Sequence, residues 1–385
     1  MKSRFLCEAE SFLRVYAQIL FSSSPAVGLL LLLATATVPR AFLGGALSVL
    51  AANAAARLLD FNPEAIASGR YAYNALLTGL GISQAFFGPE AVLLLLLAAV
   101  ACVLVTAALE SSLGTAANLP FLTLPFLAVF HLATSASVFV LGAAQSTHAA
   151  DSSALAWALP LPLTLFVRSL GALFFLPRFD AGFLVLAALL AHSRIATLLA
   201  ASSFGLILLL RGSVLSLPDS MGDSLGYNAM LSAMALGGVW FVPSTSSFVL
   251  AATGTLVTAL LTLGLAAPLA RLGLPSLIVP FNVAMLLLLT AMRRRTHDLR
   301  PRSVDFLAGT PEENLTYQKT RLQRFQQLYL TPFHLPFRGG WVCTQAVDGA
   351  HTHQGIWRHA FDFEVRDEEG NLFSESGTLP EHYHC

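Results

Sequence analysis

The residues of this chain that could do chemistry come in duplicate. Tyr71-Ala72-Tyr73-Asn74-Ala75-Leu76-Leu77-Thr78 returns as Leu225-Gly226-Tyr227-Asn228-Ala229-Met230-Leu231-Ser232, at an offset of 227 − 73 = 154 residues. Leu119-Pro120, followed by Pro125-Phe126, returns as Leu274-Pro275, followed by Pro280-Phe281, at 275 − 120 = 155. Arg14, Phe21 and Gly28 return as Arg168, Phe175 and Gly182, at 168 − 14 = 154. These blocks set aromatic rings, amides, hydroxyls and prolines into apolar surroundings. Their chemistry is hydrogen bonding and shape, since a proline removes an N–H donor and so frees a carbonyl. Cys7, Cys102, Cys343 and Cys385 show neither CxxC pairing nor metal-ligand spacing. Asp and Glu are scarce within the apolar runs, which argues against a proton relay.

The elements that position these blocks are set by composition. Of 385 residues, 55% are hydrophobic and only 11% charged, with mean hydropathy +0.68. A soluble domain carries about 25% charged residues, so this chain lacks the polar surface to face water and takes the bilayer as its solvent. Its net charge of zero gives no footprint for nucleic acid. No cleavable signal is evident, because Met1–Leu20 contains Glu8, Glu10 and Arg14 and no clean apolar stretch. Apolar segments fall near Ala26–Thr37, Ala41–Leu59, Glu90–Ala108, Phe121–Leu141, Ala154–Leu176, Ala181–Ala191, Ala196–Leu210, Phe248–Leu269 and Leu277–Met292. Two shorter ones, Tyr71–Phe87 and Leu225–Trp240, are bounded by Gly, Pro or Asp. Such paired, interrupted segments point to a central site in a transporter.

One shared offset across three blocks makes the body a tandem duplication of about 150 residues per half. If each half holds an odd number of spans, the second is inverted and the site forms where the halves meet. The expected organisation is a first transmembrane repeat over 1–145, a second over 146–296, a linker over 297–316 and a soluble tail over 317–385. Arg293-Arg294-Arg295, Arg300 and Arg302 form a basic cluster at the end of the body, and Lys2, Arg4 and Arg14 another at its start. Basic clusters favour the cytoplasmic side, so both termini are expected there. In the tail, Tyr317–Leu328 reads as a helix. Residues from Leu335 onward read as short strands, with a turn at Asp367–Asn371 between Phe361–Val365 and Leu372-Phe373.

At the repeated blocks the sequence resembles the urea transporter family. Arg14 to Pro25 is similar to the family's Arg-Gly-x-x-Gln-x-x-Phe stretch followed by Asn-Pro. Tyr71–Thr78 resembles its Tyr-Gly-Phe-Asn-Gly segment, and Leu119–Phe126 its Leu-Pro-x-x-Thr-x-Pro-Phe signature; Gly222–Leu231 and Leu274–Phe281 match again. The resemblance covers roughly Phe12 to Met292. It implies an all-α polytopic membrane protein, with two inverted halves of five transmembrane helices each plus a short pore helix. It also implies one pore per subunit of a homotrimer in a bacterial-type inner membrane, conducting urea or a similar small neutral amide passively, with no cofactor.

The physical demands of that task suit these residues. Urea is planar, uncharged and richly hydrated, so stripping its water is costly unless fixed acceptors replace it. Helix-terminal carbonyls can serve as such acceptors, while aromatic faces form slots that match a flat amide. Carried over by position, the substrate-binding set is Gln18, Phe21, Tyr73, Leu77, Thr123, Phe175, Tyr227 and Leu231. Gln18 and Phe21, three apart, are expected on one helix face. Ala172 stands where the second half should offer Gln or Glu, and Ile278 where it should offer Thr. The lining is therefore expected to be polar on one side only.

The tail resembles the start of a lysostaphin-like zinc peptidase domain, in Pro336–Trp341 and His351–Glu364. That resemblance implies zinc ligands at His353 or His359 with Asp362, and at His384 within His382-Tyr383-His384. The interval from His359 to Asp362 is one residue short of the family's His-x3-Asp. The alternatives to a plain channel are thus a membrane-anchored metallopeptidase, or a pore regulated by a non-catalytic tail. Anchoring alone needs one span, and a duplicated body with paired interrupted segments is more than an anchor.

Overall fold

The computed structural model describes residues 4–86, 88–140, 159–213, 219–296, 300–304, 309–327, 339–375 and 379–383. They fall into two compact units, Met1–Arg321 and Leu322–Cys385. The first is helical. Its opening half comprises α1 (Arg4–Ala17), α2 (Pro25–Ala36), α3 (Pro39–Leu58), α4 (Pro63–Ala67), α5 (Tyr73–Ala85), α6 (Pro89–Leu109) and α7 (Leu124–Val140). The second half comprises α8 (Leu161–Ala172), α9 (Phe179–His192), α10 (Arg194–Ser213), α11 (Asp219–Met234), α12 (Thr245–Arg271) and α13 (Val279–Met292). Proline opens α2, α3, α4 and α6, where its missing N–H would have had no helical partner anyway. Ser244 starts α12 with a reciprocal capping box to Ser247.

Among the described residues, four helical stretches are long and apolar enough to cross a bilayer: Pro39–Leu58, Pro89–Thr115, Arg194–Gly212 and Thr245–Arg271. Leu6–Leu20 with Pro25–Ala36 makes a fifth only as a pair bent by 80°. α9 and α13 have 14 residues each, about 21 Å at 1.5 Å per residue, short of a hydrocarbon core of about 30 Å. The duplicated blocks are where the helices stop. The outer end of the Phe121–Leu141 segment and the start of the Ala154–Leu176 segment lie outside the described residues.

The duplication in sequence is a duplication in geometry. α1 ends through a tight turn at Gln18–Leu20, and Phe21 reverses the chain with φ +58°. In the second half Phe175 does so with φ +61°. Each turn closes identically: Phe21 N–H to the Gln18 carbonyl and Ser22 N–H to the Ala17 carbonyl, then Phe175 to Ala172 and Leu176 to Gly171, all at 3.0–3.1 Å. A left-handed non-glycine residue costs about 1–2 kcal/mol, so packing must hold it. Leu122 and Leu277, both also at positive φ, form the second repeated turn. Fully buried Asn74 and Asn228 clamp those turns. Each donates to the turn carbonyl (Leu122, Leu277) and accepts from the N–H four residues on, Phe126 or Phe281.

Close approach is duplicated as well. A Cβ on Gly28 would lie 1.9 Å from the Leu13 carbonyl oxygen, and one on Gly182 1.9 Å from that of Val167. Only glycine lets α1 meet α2, and α8 meet α9, at that distance. α2 also packs on α9, joining the halves. The contacts between halves are reciprocal: Phe21 meets Phe281, and Phe175 meets Phe126. This is what a pseudo-two-fold relation requires.

The segment after α13 is not loose. Val242 N–H donates to the Arg302 carbonyl and Val304 N–H to the Trp240 carbonyl. Helix α14 (Pro311–Gln327) begins beside the second half, where Glu312 accepts from Ile195 N–H at 2.9 Å and Asn314 donates to the Gly238 carbonyl at 2.9 Å. It starts earlier than the helix predicted from Tyr317. The second unit contains β1 (Val342–Gln345) paired antiparallel with β2 (Asp362–Glu364). The Asp367–Asn371 turn forms, but β2 pairs back to β1. Phe373 instead bridges to Tyr383. The turn lies between the strands expected at Phe361–Val365 and Leu372-Phe373, but the first pairs with β1 rather than across the turn.

Candidate solute site

Where the repeated turns meet, the body encloses a cavity of about 490 Å³. Six of the eight residues carried over from the repeats line it: Gln18, Phe21, Tyr73, Leu77, Thr123 and Leu231. Phe175 and Tyr227 do not. Phe175 is covered by Phe126 and Phe130, each with ring centroids 6.0 Å away. Trp240, Phe121, Phe281 and Ile278 complete the aromatic and apolar wall.

Gln18 and Phe21 reach the cavity, although not along one helix face. The helix stops between them, and the reversal at Phe21 brings its ring inward. That ring meets Trp240 edge-on at 5.6 Å and 86°, and Phe281 at 6.5 Å. The Gln18 amide is oriented by its own N–H, which donates to the Ser68 carbonyl at 2.9 Å. Among the described residues Gln18 Oε1 has no hydrogen-bond partner, and Gln18 lines the cavity, so this oxygen is free to accept. Tyr73 stacks on Phe121 at 6.3 Å and 25°, giving a flat face. Its hydroxyl donates to the Leu122 carbonyl, so this hydroxyl braces the second turn and removes one carbonyl from the wall. His131 Nε2 similarly lies 2.9 Å from the Pro275 carbonyl.

Polarity is one-sided. The first half supplies Gln18, the Ser68 carbonyl, Thr123 and Arg70, while the second supplies Leu173, Leu231, Trp240, Ile278 and Phe281. Arg70 is a formal charge on the wall, and it is paired with Glu110 at 2.6 Å. The site therefore offers a flat aromatic slot, acceptors and a hydroxyl around a compact neutral solute.

No motif in the sequence flags Trp240. It lies at the end of an interrupted segment, in no repeated motif, and reaches Phe21 only through tertiary packing. Asn282 was missed for a similar reason: its repeat mate is Leu127, so the duplication does not flag it.

In the tail, His353 and Asp362 do come together. Buried His353 donates from Nδ1 to the Ala346 carbonyl at 2.9 Å, and its Nε2 lies 3.1 Å from Asp362 Oδ1. Asp362 Oδ2 accepts from Gln345 at 2.9 Å. The Ala346 carbonyl, foremost, and then Asp362 hold the imidazole pKa above its ordinary value, against the opposing effect of burial. Both ring nitrogens thus face acceptor oxygens, which suits the protonated ring. His359 is exposed and apart, and His384 lies outside the described residues. Among the described residues no three metal-ligating groups cluster, and of the candidate ligands it is His353 and Asp362 that are in contact.

Known proteins agree with the body. The sequence is 29% identical over 337 residues, 82% of this chain and 84% of the relative, to urea transporter 1 of Ovis aries. The same figures hold for urea transporter 1 of Capra hircus. The family pattern described as urea transporter matches residues 9–293, the stretch that holds both repeats and every residue around the cavity, so the chain belongs to the urea transporter family.

Proposed function

We propose that the body conducts urea, or a small neutral amide like it, passively across the membrane through the cavity between its halves. The observation that carries this reading is the convergence of Gln18, Phe21, Tyr73 and Thr123 on one cavity with no unpaired charge. An ion entering it would lose hydration worth tens of kcal/mol with nothing to replace it. A planar amide trades its water for the Gln18 and Thr123 groups while its faces lie against Phe21 and Tyr73. We take this site to lie near the middle of the bilayer, with the two-fold axis in the membrane plane and the halves inverted, a reading that the paired interrupted segments support. We take the assembly to be a homotrimer with one pore per subunit, set in a cytoplasmic membrane. The arginines at 293–295, with Lys2, Arg4 and Arg14 at the other end, support a cytoplasmic side for both termini.

Stopped-flow light scattering of proteoliposomes with urea, formamide, acetamide, water and ammonium tests the proposal. Fast saturable urea flux with ammonium excluded is the expected result. Urea flux no faster than through protein-free liposomes would overturn it.

A further inference from the structure

One polar contact crosses between the halves at the cavity wall, and it has no counterpart in the repeat. Asn282, fully buried, donates from Nδ2 to Thr123 Oγ1 at 2.6 Å and to the Ile278 carbonyl at 2.9 Å. Its Oδ1 accepts from Thr123 N–H at 3.2 Å. The repeat mates are Ile278 for Thr123 (123 + 155 = 278) and Leu127 for Asn282 (282 − 155 = 127), both apolar. A buried amide in place of Leu costs desolvation, so its presence here asks for a reason.

The amide orientation is fixed by its neighbours. Thr123 N–H needs an acceptor, and the opposite flip would set the amide oxygen against the Ile278 carbonyl and the NH2 against Thr123 N–H, so one orientation fits. That choice places an N–H, not a carbonyl, against the Thr123 hydroxyl. Thr123 Oγ1 is thereby made an acceptor toward Asn282, and its own proton must point elsewhere. Among the described residues no acceptor for that proton is recorded, and Thr123 lines the cavity. A freely rotating hydroxyl would offer either a proton or a lone pair. This one has one lone pair taken by Asn282 and keeps a second, while its proton is turned away from Asn282 and is available to the solute.

We infer that Asn282 is a positioning residue that makes Thr123 a hydrogen-bond donor to the carbonyl oxygen of the solute. The inference rests on the reading of the cavity as an amide conduit, and it refines it. The solute class is one with a strong oxygen acceptor at its centre, flanked by N–H groups that Gln18 Oε1 can receive. Thiourea has nearly the shape of urea but a sulfur acceptor, and sulfur accepts hydrogen bonds weakly. It is therefore the discriminating probe.

The test measures urea and thiourea flux in proteoliposomes for the wild type, Asn282→Leu, Thr123→Val and the double variant, each normalised to assembled protein. The urea-to-thiourea ratio should fall by about three- to tenfold in Asn282→Leu, the span of one net hydrogen bond. Thr123→Val should show the same ratio, and the double variant no further fall. Where Leu cannot be accommodated, Asn282→Ala removes the clasp without adding bulk and carries the same expectation. Urea and thiourea fluxes that fall in parallel, or a ratio that stays at the wild-type value, would overturn the inference by leaving Asn282 a purely structural clasp. A wild type that conducts no urea is a different result, which defeats the amide-conduit reading itself.

Discussion

The ring of Phe21, in the first half, lies 6.5 Å from that of Phe281, in the second. The repeat-related pair, Phe175 and Phe126, lies at 6.0 Å with the halves exchanged. Phe21 and Phe175 both adopt left-handed backbone, so each strained turn is held by a ring from the opposite half. One pair faces the cavity and the other is sealed by Phe130. A common framework thus carries one slot that is open and one that is closed by local side chains.

The open slot should set solute size. Phe21→Ala removes one aromatic wall and should let acetamide and larger amides pass faster relative to urea. Gln18→Ala removes one acceptor worth roughly 0.5–1.5 kcal/mol, so urea should half-saturate its own flux at up to about tenfold higher concentration. Stopped-flow series on both variants check this. Unchanged fluxes in correctly assembled protein would mean these side chains do not contact the permeant.

The clamps on the second turn should matter to stability more than to selectivity. Asn228→Leu would free the Leu277 carbonyl and Phe281 N–H inside the body, with no water to replace the lost bonds. A loss of about 2–4 kcal/mol follows from two unsatisfied buried groups. Asn74→Leu should lose less, about 1–3 kcal/mol, because the Tyr73 hydroxyl still donates to the Leu122 carbonyl. Thermal unfolding in detergent, followed by size exclusion, gives the comparison.

Close packing makes a contrast between two glycines. Gly28→Ala drives a Cβ into the Leu13 carbonyl, whereas a Cβ at Gly205 meets nothing within 4 Å. Gly28→Ala should sharply reduce the yield of assembled protein, and Gly205→Ala should leave it near wild type or slightly raise it. Equal yields would show that α1 and α2 can separate at little cost.

The tail should respond to pH through His353. Its folded pKa is raised, chiefly by the Ala346 carbonyl and also by Asp362. The protonated ring therefore stabilises the β1–β2 region fully below the ordinary histidine value of about 6.5, and this contribution fades as pH rises through the higher folded value. Hydrogen exchange over 342–345 in the full chain, corrected for intrinsic rates, should show more protection at acidic than at alkaline pH. His353→Gln should remove the difference. Equimolar zinc should leave exchange unchanged, because among the described residues no third metal-ligating group joins His353 and Asp362.

Much of this architecture is a local property of the chain and was readable from it. Apolar runs without charge dictate helices in a bilayer, and three motifs at one offset dictate two similar halves, whatever their surroundings. Pro25, Pro39 and Pro89 mark helix starts by covalent geometry alone, and the repeated Tyr-Asn and Pro-Phe blocks mark the turns. What the residues could not disclose was which side chains finish at the cavity. Phe21 turns inward because the helix ends before it, not because it shares a face with Gln18. Phe175 and Tyr227 are matched in sequence to cavity residues, yet they stand outside it, and Phe126 and Phe130 cover the Phe175 ring. Trp240 and Asn282 enter through contacts more than 150 residues away in the chain. Such contacts depend on how two helical halves settle against each other, and no periodicity or motif encodes that. The sequence determined the repeated parts, and tertiary packing decided that the two copies would not be equivalent.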